Sequence, residues 1–330
     1  MTRRELDAAE VWDPLLRRSY QRCRQLHARH GRTYFLATRL LTVDRRPAVH
    51  ALYGFARWVD DIVDTAPGVP DPATAAARAA RLDQIGDELR RGLAEGRSAH
   101  PLFAAVVHTA RRYRIDPGHF TDFLTAMRMD LTVTDYPTRA ALNTYIRGSA
   151  EVIGLQVLPV LGTVTSQREA APHAAALGNA FQLTNFIRDI AEDLDLGRIY
   201  LPADELAAFG VDRDRLLWCR RTRRVDQPVR RALADQVARA RALYRFAEPG
   251  IAMLDPVARP CVATAFTLYG EILDHITRAG YNVFASRAAV PATRRLAVAT
   301  PALVSTLAAR STARLSAGGK KPWRALPPGC

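Results

Sequence analysis

The stretch RWVDDIVD, residues 57–64, sets three carboxylates, Asp60, Asp61 and Asp64, inside an apolar helical run. Like charges one helical turn apart repel, and a carboxylate drawn onto a half-buried face costs on the order of several kcal/mol unless a cation neutralises it. At about 100° per residue, Tyr53, Arg57, Asp60 and Asp64 fall on one stripe, with Leu52, Phe55, Val59, Ile62 and Val63 supplying apolar surface around it. Such a stripe lines a cavity in a helical bundle. Alone, an acidic pair on a helix is ordinarily a solvated face or the partner of an arginine, so this stretch needs a second group to give it chemistry.

That group stands in FQLTNFIRDIAEDLDLGRIYLP, residues 181–202. Gln182, Asn185, Asp189 and Asp193 recur at i, i+3, i+7 and i+11, again one stripe of one helix, flanked by Phe181, Leu183, Phe186 and Ile190. Two seams of acids and amides facing each other across a bundle can share hard cations, Mg²⁺ or Mn²⁺, through oxygen ligands while phosphate oxygens complete the shell. Asp60, Asp64, Asn185, Asp189 and Asp193 are the candidate metal ligands. Arg57, Arg188 and Arg198, with Tyr200, are donors of the kind a diphosphate needs. Asp61, Glu192 and Asp195 point elsewhere on a helical wheel and read either as supports behind the ligands or as solvated.

Outward from these seams the period is helical almost throughout. ATAAARAARLDQIGDELRRGLAEG (73–96) carries Leu82, Ile85, Leu89 and Leu93 at three- and four-residue spacing and stops at Gly96; the runs 233–254 and 264–280 repeat the pattern. No alternating β-branched run bounded by hairpin turns is present. The reading is an all-α fold with one domain over residues 14–290, an N-terminal segment at 1–13, a terminal helix or extended segment at 291–309 and a basic, disordered tail at 310–330.

The 330 residues are 48% hydrophobic, ample for a large core, and carry a formal net charge of +14. Nearly all of that charge is arginine; the only lysines are Lys320 and Lys321. Arginine suits anionic ligands or an anionic membrane surface. A basic helical nucleic-acid- or membrane-binding module is the distant alternative, but no helix-turn-helix or aromatic-basic motif supports it, and two acidic seams would repel a phosphate backbone. No nucleic acid is expected. Cys23, Cys219, Cys261 and Cys330 are scattered without CxxC pairs, which argues against a zinc site or a disulfide framework. The N-terminus lacks the apolar core of a secretory signal, and the longest apolar stretches fall short of the roughly 18–20 residues of a spanning helix. The expected location is cytoplasmic, with peripheral association at the inner face of the membrane through Lys320, Lys321, Trp323 and Arg324 compatible with the tail.

Four segments in order resemble the squalene and phytoene synthases, the head-to-head branch of the trans-isoprenyl diphosphate synthases. They are RTYFLATRLLTVDRRPAVHALYGFARWVDDIVD (32–64), MRMDLTVTDYPTRAALNTYIRGSAEVIGLQVLPVLG (127–162), NAFQLTNFIRDIAEDLDLGRIYLP (179–202) and YGEILDHITRAGYNVFASRAAVP (269–291). The central block, GSAEVIGLQVLPVLG, is most similar to the bacterial phytoene synthases. The second cluster lacks the doubled start of a head-to-tail elongase DDxxD and does not fit the spacing of the class I cyclase pattern.

The resemblance implies a single-domain isoprenoid-synthase-type helical bundle with a central cavity. It implies a carotenoid-pathway transferase that condenses two geranylgeranyl diphosphates head to head, through prephytoene diphosphate, to phytoene, with release of two diphosphates. It needs a divalent metal and no NADPH, and is compatible with partner carotenoid enzymes. The close alternative is a C30 dehydrosqualene, squalene or hydroxysqualene synthase using farnesyl diphosphate. By the same resemblance, His30, Arg32 and Thr33 lie where an early flap contacts diphosphate, although the family commonly has Ser near Gly31. Tyr53 and Tyr145 sit near the cationic intermediates or the departing proton, Tyr269 closes the far diphosphate pocket, and Gln182 joins the substrate-binding set. Small side chains at Ala37 and Thr38 favour a C20 over a C15 chain by volume.

Overall fold

Capping chemistry sets the ends of the long helices in the computed structural model, which describes residues 3–63 and 71–298. Asp64, residues 65–70, the Arg32 side chain and everything from residue 299, including the basic tail and Cys330, lie outside the described residues. A short α1 (Arg3–Ala8) precedes α2 (Pro14–His30), where the Asp13 carboxylate accepts from the Leu16 amide at 2.7 Å and Pro14 takes the first helical position. Then come α3 (Arg32–Thr38) and α4 (Arg46–Val63), the helix of the first acidic seam. Next is α5 (Pro72–Glu95), capped by Asp71 and closed by Gly96 at φ 74°, where the sequence places its end.

After α6 (Phe103–Tyr113), α7 (Gly118–Met129) and α8 (Arg139–Ile146), the backbone widens to a π-turn over Arg147–Glu151 before α9 (Val152–Leu161). The turn is set by a close approach: a Cβ on Gly148 would stand 2.4 Å from the Asp122 carbonyl of α7. A capping box between Ser166 and Glu169 starts α10 (Gln167–Arg188). The remainder comprises α11 (Ile190–Asp195), α12 (Ala203–Ala207), α13 (Arg213–Thr222), α14 (Gln227–Ala247), α15 (Pro249–Met253) and α16 (Arg259–Arg278).

Two differences from the sequence reading have local causes. The run 181–202 is not one helix: Asp189 leaves helical geometry at φ −101°, ψ 9°, dividing α10 from α11. Aspartate favours helix ends, because its short carboxylate competes for local hydrogen bonds, and here two arginines hold it. The run 233–254 breaks at Pro249, whose missing N–H starts α15 afresh.

Helices α4 and α10 form the centre: α2 packs along α4, while α9, α14 and α16 pack on α10. Phe55 of α4 is 1% exposed and meets the rings of Phe103, Phe120 and Phe123 at 5.8–6.0 Å, which locks α6 and α7 onto it. Truncating such a ring costs about 3–5 kcal/mol. A second apolar cluster joins Ala37, Leu40 and Leu41 to Leu158 and Leu161 of α9 and Ala265 of α16. Cys23, Cys219 and Cys261 are free and buried. Among the described residues β-structure is limited to isolated bridges, one of which, Asp135 with Ile199, ties the chain after α7 to the chain after α11. No helix among the described residues is long and apolar enough to cross a membrane.

Candidate active site

Asp60 of the first stripe and the residues of the second meet at one cavity of about 290 Å³. Asp60 of α4 contributes one wall; Gln182, Asn185, Arg188, Asp189 and Asp193 of α10 and α11 contribute the other. Tyr145, Arg198, Tyr200 and Asp130 complete its polar lining, and Phe123, Met127, Ile153 and Leu196 close it with apolar surface. A larger hollow of about 560 Å³ lies apart from this chemistry, between α5 and α7.

Asp189 and Asp193 are one turn apart yet electrostatically opposite. Asp189 accepts two N–H bonds from Arg188 at 2.6 and 2.5 Å and two from Arg287 at 2.7 and 2.8 Å. Burial alone would raise its carboxyl, but the paired guanidiniums outweigh burial and hold it below the usual carboxylate value. For Asp193, burial and then the adjacent Asp189 and Glu192 carboxylates push the group up to about 8, against the weaker pull of Arg198 and Arg188. The Asn185 side-chain oxygen is buried without a hydrogen-bond partner.

An orphaned amide oxygen, a carboxylate short of positive charge and Asp60 across the cavity make an all-oxygen donor set, which fits a hard divalent cation. Among the described residues no three Asp, Glu, His or Cys side chains are grouped for a metal, and Asp189 is paired with Arg188 and Arg287.

The other expected residues are distributed around this centre. Tyr53 stacks on His27, with ring centroids 4.0 Å apart and planes 13° from parallel. A Cβ on Gly31 would meet both rings, at 2.6 Å from His27 Cδ2 and 2.7 Å from Tyr53 Cζ. The stack therefore fills the space that a serine side chain would take there. Arg57 pairs with Asp61 one turn along α4, and the Asp61 side chain stays partly exposed. Tyr269 stacks on Tyr34 at 5.0 Å and meets Phe181 at 4.6 Å. His30 is exposed at the end of α2, and Thr33 is half-buried in α3.

Two residues escaped the sequence reading. Asp130, at the end of α7, accepts from the Tyr145 hydroxyl at 2.8 Å and the Tyr200 hydroxyl at 3.3 Å, while Arg198 donates to its main-chain carbonyl at 2.8 Å. A carboxylate inside the apolar run MRMDLTV is a local signal that could have exposed it. Arg287 joins Asp189 across 98 positions and is one of many arginines, so no local pattern marks it. Beside them the rings of Phe186 and Tyr200 stack 4.1 Å apart, with Tyr145 5.6 Å from Tyr200.

Comparison with known proteins agrees with this geometry. The family model described as squalene/phytoene synthase matches residues 27–294. A phytoene synthase of Arthrospira platensis is 37% identical over 289 residues, 84% of this chain and 90% of that one. A 15-cis-phytoene synthase of Synechococcus elongatus is 37% identical over 292 residues, 85% of this chain and 91% of that one. Among solved structures, a squalene synthase from Alicyclobacillus acidocaldarius superposes with a TM-score of 0.72 at 31% identity, over 83% of this chain and 99% of that one. A dehydrosqualene synthase, at 24% identity and a TM-score of 0.77 over 89% and 98%, shares the fold. The chain belongs to the squalene/phytoene synthase family.

Proposed function

We propose that the chain carries out the phytoene synthase reaction: head-to-head condensation of two geranylgeranyl diphosphates to a C40 hydrocarbon with loss of two diphosphates. The observation that carries this reading is one cavity holding Asp60 on one wall and Asn185, Asp189 and Asp193 on the other, in a chain 37% identical to phytoene synthases over most of its length. Catalysis belongs to one unit over residues 14–290, with the N-terminal segment and basic tail as its flanks.

Asp60, Asn185, Asp189 and Asp193, joined by Asp64, would hold Mg²⁺ or Mn²⁺. The bound cation supplies charge neutralisation for the leaving diphosphate. The chain's own residues do the rest. Arg188, Arg198 and Gln182 line the cavity and, with Arg57, Arg287, His30 and Thr33, would offer donors to phosphate oxygens. Phe123, Met127, Ile153 and Leu196 exclude water, which would otherwise capture the allylic cation formed when the C–O bond breaks. The faces of Tyr145, Phe186 and Tyr200 provide cation–π stabilisation, worth about 2 kcal/mol in a desolvated site. Tyr53 and Tyr269 bound the neighbouring space through Tyr34, which makes ring contacts with both.

The small side chains of Ala37 and Thr38, both buried at 2% exposed, support the C20 substrate by volume alone. The 31% identical squalene synthase keeps a C30 reaction from farnesyl diphosphate as the second reading. A C40 hydrocarbon is insoluble in water, so peripheral contact with a membrane, and hand-over to carotenoid enzymes acting there, accord with the product. The test is a detergent assay with Mg²⁺ and either geranylgeranyl or farnesyl diphosphate, with and without NADPH, read by mass spectrometry of the extracted lipids. The expected result is a C40 product from the C20 substrate, indifferent to NADPH and abolished by EDTA. A C30 product moves the chain to the squalene branch, and no condensation overturns the reading.

A further inference from the structure

We propose that Asp130 receives the protons shed by the carbocationic intermediates, through Tyr145: it is a positioning residue and proton sink that completes a tyrosine–aspartate relay. The proposal rests on the prenyl-condensing reading above. Tyr145 is 3% exposed and Asp130 8%, and both line the cavity that holds the acidic seams. The only hydroxyl proton of Tyr145 is committed to Asp130 Oδ2 at 2.8 Å, which leaves the phenol oxygen free to accept elsewhere. Tyr200 holds the other carboxylate oxygen at 3.3 Å, and Arg198 fixes the main chain by a 2.8 Å bond to the Asp130 carbonyl. The carboxylate is thereby aimed at Tyr145 from a rigid support. The aromatic group that would face the cation lies around the same phenol, since Tyr136, Phe186 and Tyr200 all contact the Tyr145 ring.

A neutral phenol is a poor base, but its weakness disappears if its own proton leaves as the new one arrives. The C–H bond next to the cationic centre breaks and its electron pair becomes a carbon–carbon bond. The proton passes to the Tyr145 oxygen while the phenolic proton moves to Asp130 Oδ2. The products are a neutral hydrocarbon framework, a neutral tyrosine and a carboxylic acid; one positive and one negative charge have cancelled, and no other reactant is consumed. The relay resets when Asp130 loses its proton as product and diphosphate leave.

The experiment is single-turnover quench-flow on full-length wild type, Asp130→Asn, Asp130→Glu and Tyr145→Phe, with labelled geranylgeranyl diphosphate and Mg²⁺. Diphosphate release and the carbon products are followed separately, and folding is checked by thermal melts. Asparagine can accept the phenolic hydrogen bond but cannot take the proton. Asp130→Asn is therefore expected to lower formation of the cyclopropyl intermediate and hydrocarbon about 100-fold, the scale of general-base catalysis. Diphosphate release should fall much less, with carbon diverted to prenyl alcohols. Asp130→Glu should recover product within about tenfold, and Tyr145→Phe should reproduce the diverted partition. Wild-type product partition in Asp130→Asn, or equal loss of release and product, overturns the relay. If Asp130→Asn does not fold, an unaltered partition in Tyr145→Phe overturns it instead. A wild type that condenses neither C20 nor C15 substrate overturns the parent reading and the relay together.

Discussion

Asp189 and Asp193 show how little spacing alone says about a carboxylate. The stripe that pairs them is visible in the sequence, but their opposite shifts come from Arg188 and from Arg287, almost a hundred residues away, and from the burial of α11 in the bundle. The sign of the Asp193 effect is testable. A carboxyl raised to about 8 favours the protonated folded state, so its stabilisation is complete below the ordinary value near 3.8 and is lost as pH rises toward 8. In EDTA, wild type is expected to lose stability across that window at up to about 1.4 kcal/mol per pH unit from this group. Asp193→Asn removes the slope while cutting activity at least about 100-fold. Urea midpoints at pH 7 and pH 8.5 for both proteins, where Asp193 alone titrates, check the first claim, and the product assay checks the second.

Helix by helix, the strongly periodic segments were legible. The Gly96 stop of α5 and the end of α16 before Gly280 stand where the apolar period and its punctuation place them. The break at Asp189 and the π-turn at Arg147–Glu151 were not, because both answer to neighbours: two arginines in the first case, the α7 backbone against Gly148 in the second. The segment after α16 gains its hold on the site in the same non-local way. It is tied by Arg287 to Asp189 and by Arg294 to Glu271 at 2.6 Å. Because the Arg287 side chain is 55% exposed, its pair is worth only about 0.5–1 kcal/mol. Arg287→Gln is expected to tighten Mg²⁺ binding about threefold in calorimetry, since the ion no longer competes with that guanidinium for Asp189, while KM for the prenyl diphosphate rises. Unchanged Mg²⁺ affinity would show that the pair does not oppose the ion.

Across the whole molecule, the all-α architecture followed from periodicity, and residue type marked Asp60, Gln182, Asn185, Asp189 and Asp193, which line one cavity. The Tyr145–Asp130–Tyr200 group required the fold, which brings α7, α8 and the chain after α11 together. The bundle also carries a buried imidazole pair between α2 and α4: His27 Nδ1 and His50 Nδ1 are 2.9 Å apart. Burial pushes His27 down to about 3, and burial with the neighbouring His27 lowers His50 well below its usual value. Depressed histidines stabilise above pH ~6.5 and lose that contribution as pH falls below it, each by up to about 1.4 kcal/mol per unit. Two histidines oppose one Asp193 below pH ~6.5, and only Asp193 acts above it, so global stability in EDTA should peak near neutrality. Denaturant midpoints from pH 4 to 9 read the peak; a monotonic rise or fall would contradict it.

The buried cysteines give the molecule an internal clock. Burial pushes the Cys23 and Cys261 thiols up to about 12, so at neutral pH hardly any thiolate exists to react. Cys23 is also wedged where α2 meets α4, its α-carbon 2.6 Å from the place a Cβ on Gly54 would occupy. A maleimide or disulfide reagent can reach that sulfur only when the two helices part. The rate at which Cys23 is alkylated, followed by peptide mass mapping, therefore counts openings of the α2–α4 seam under native conditions, with no probe added to the chain.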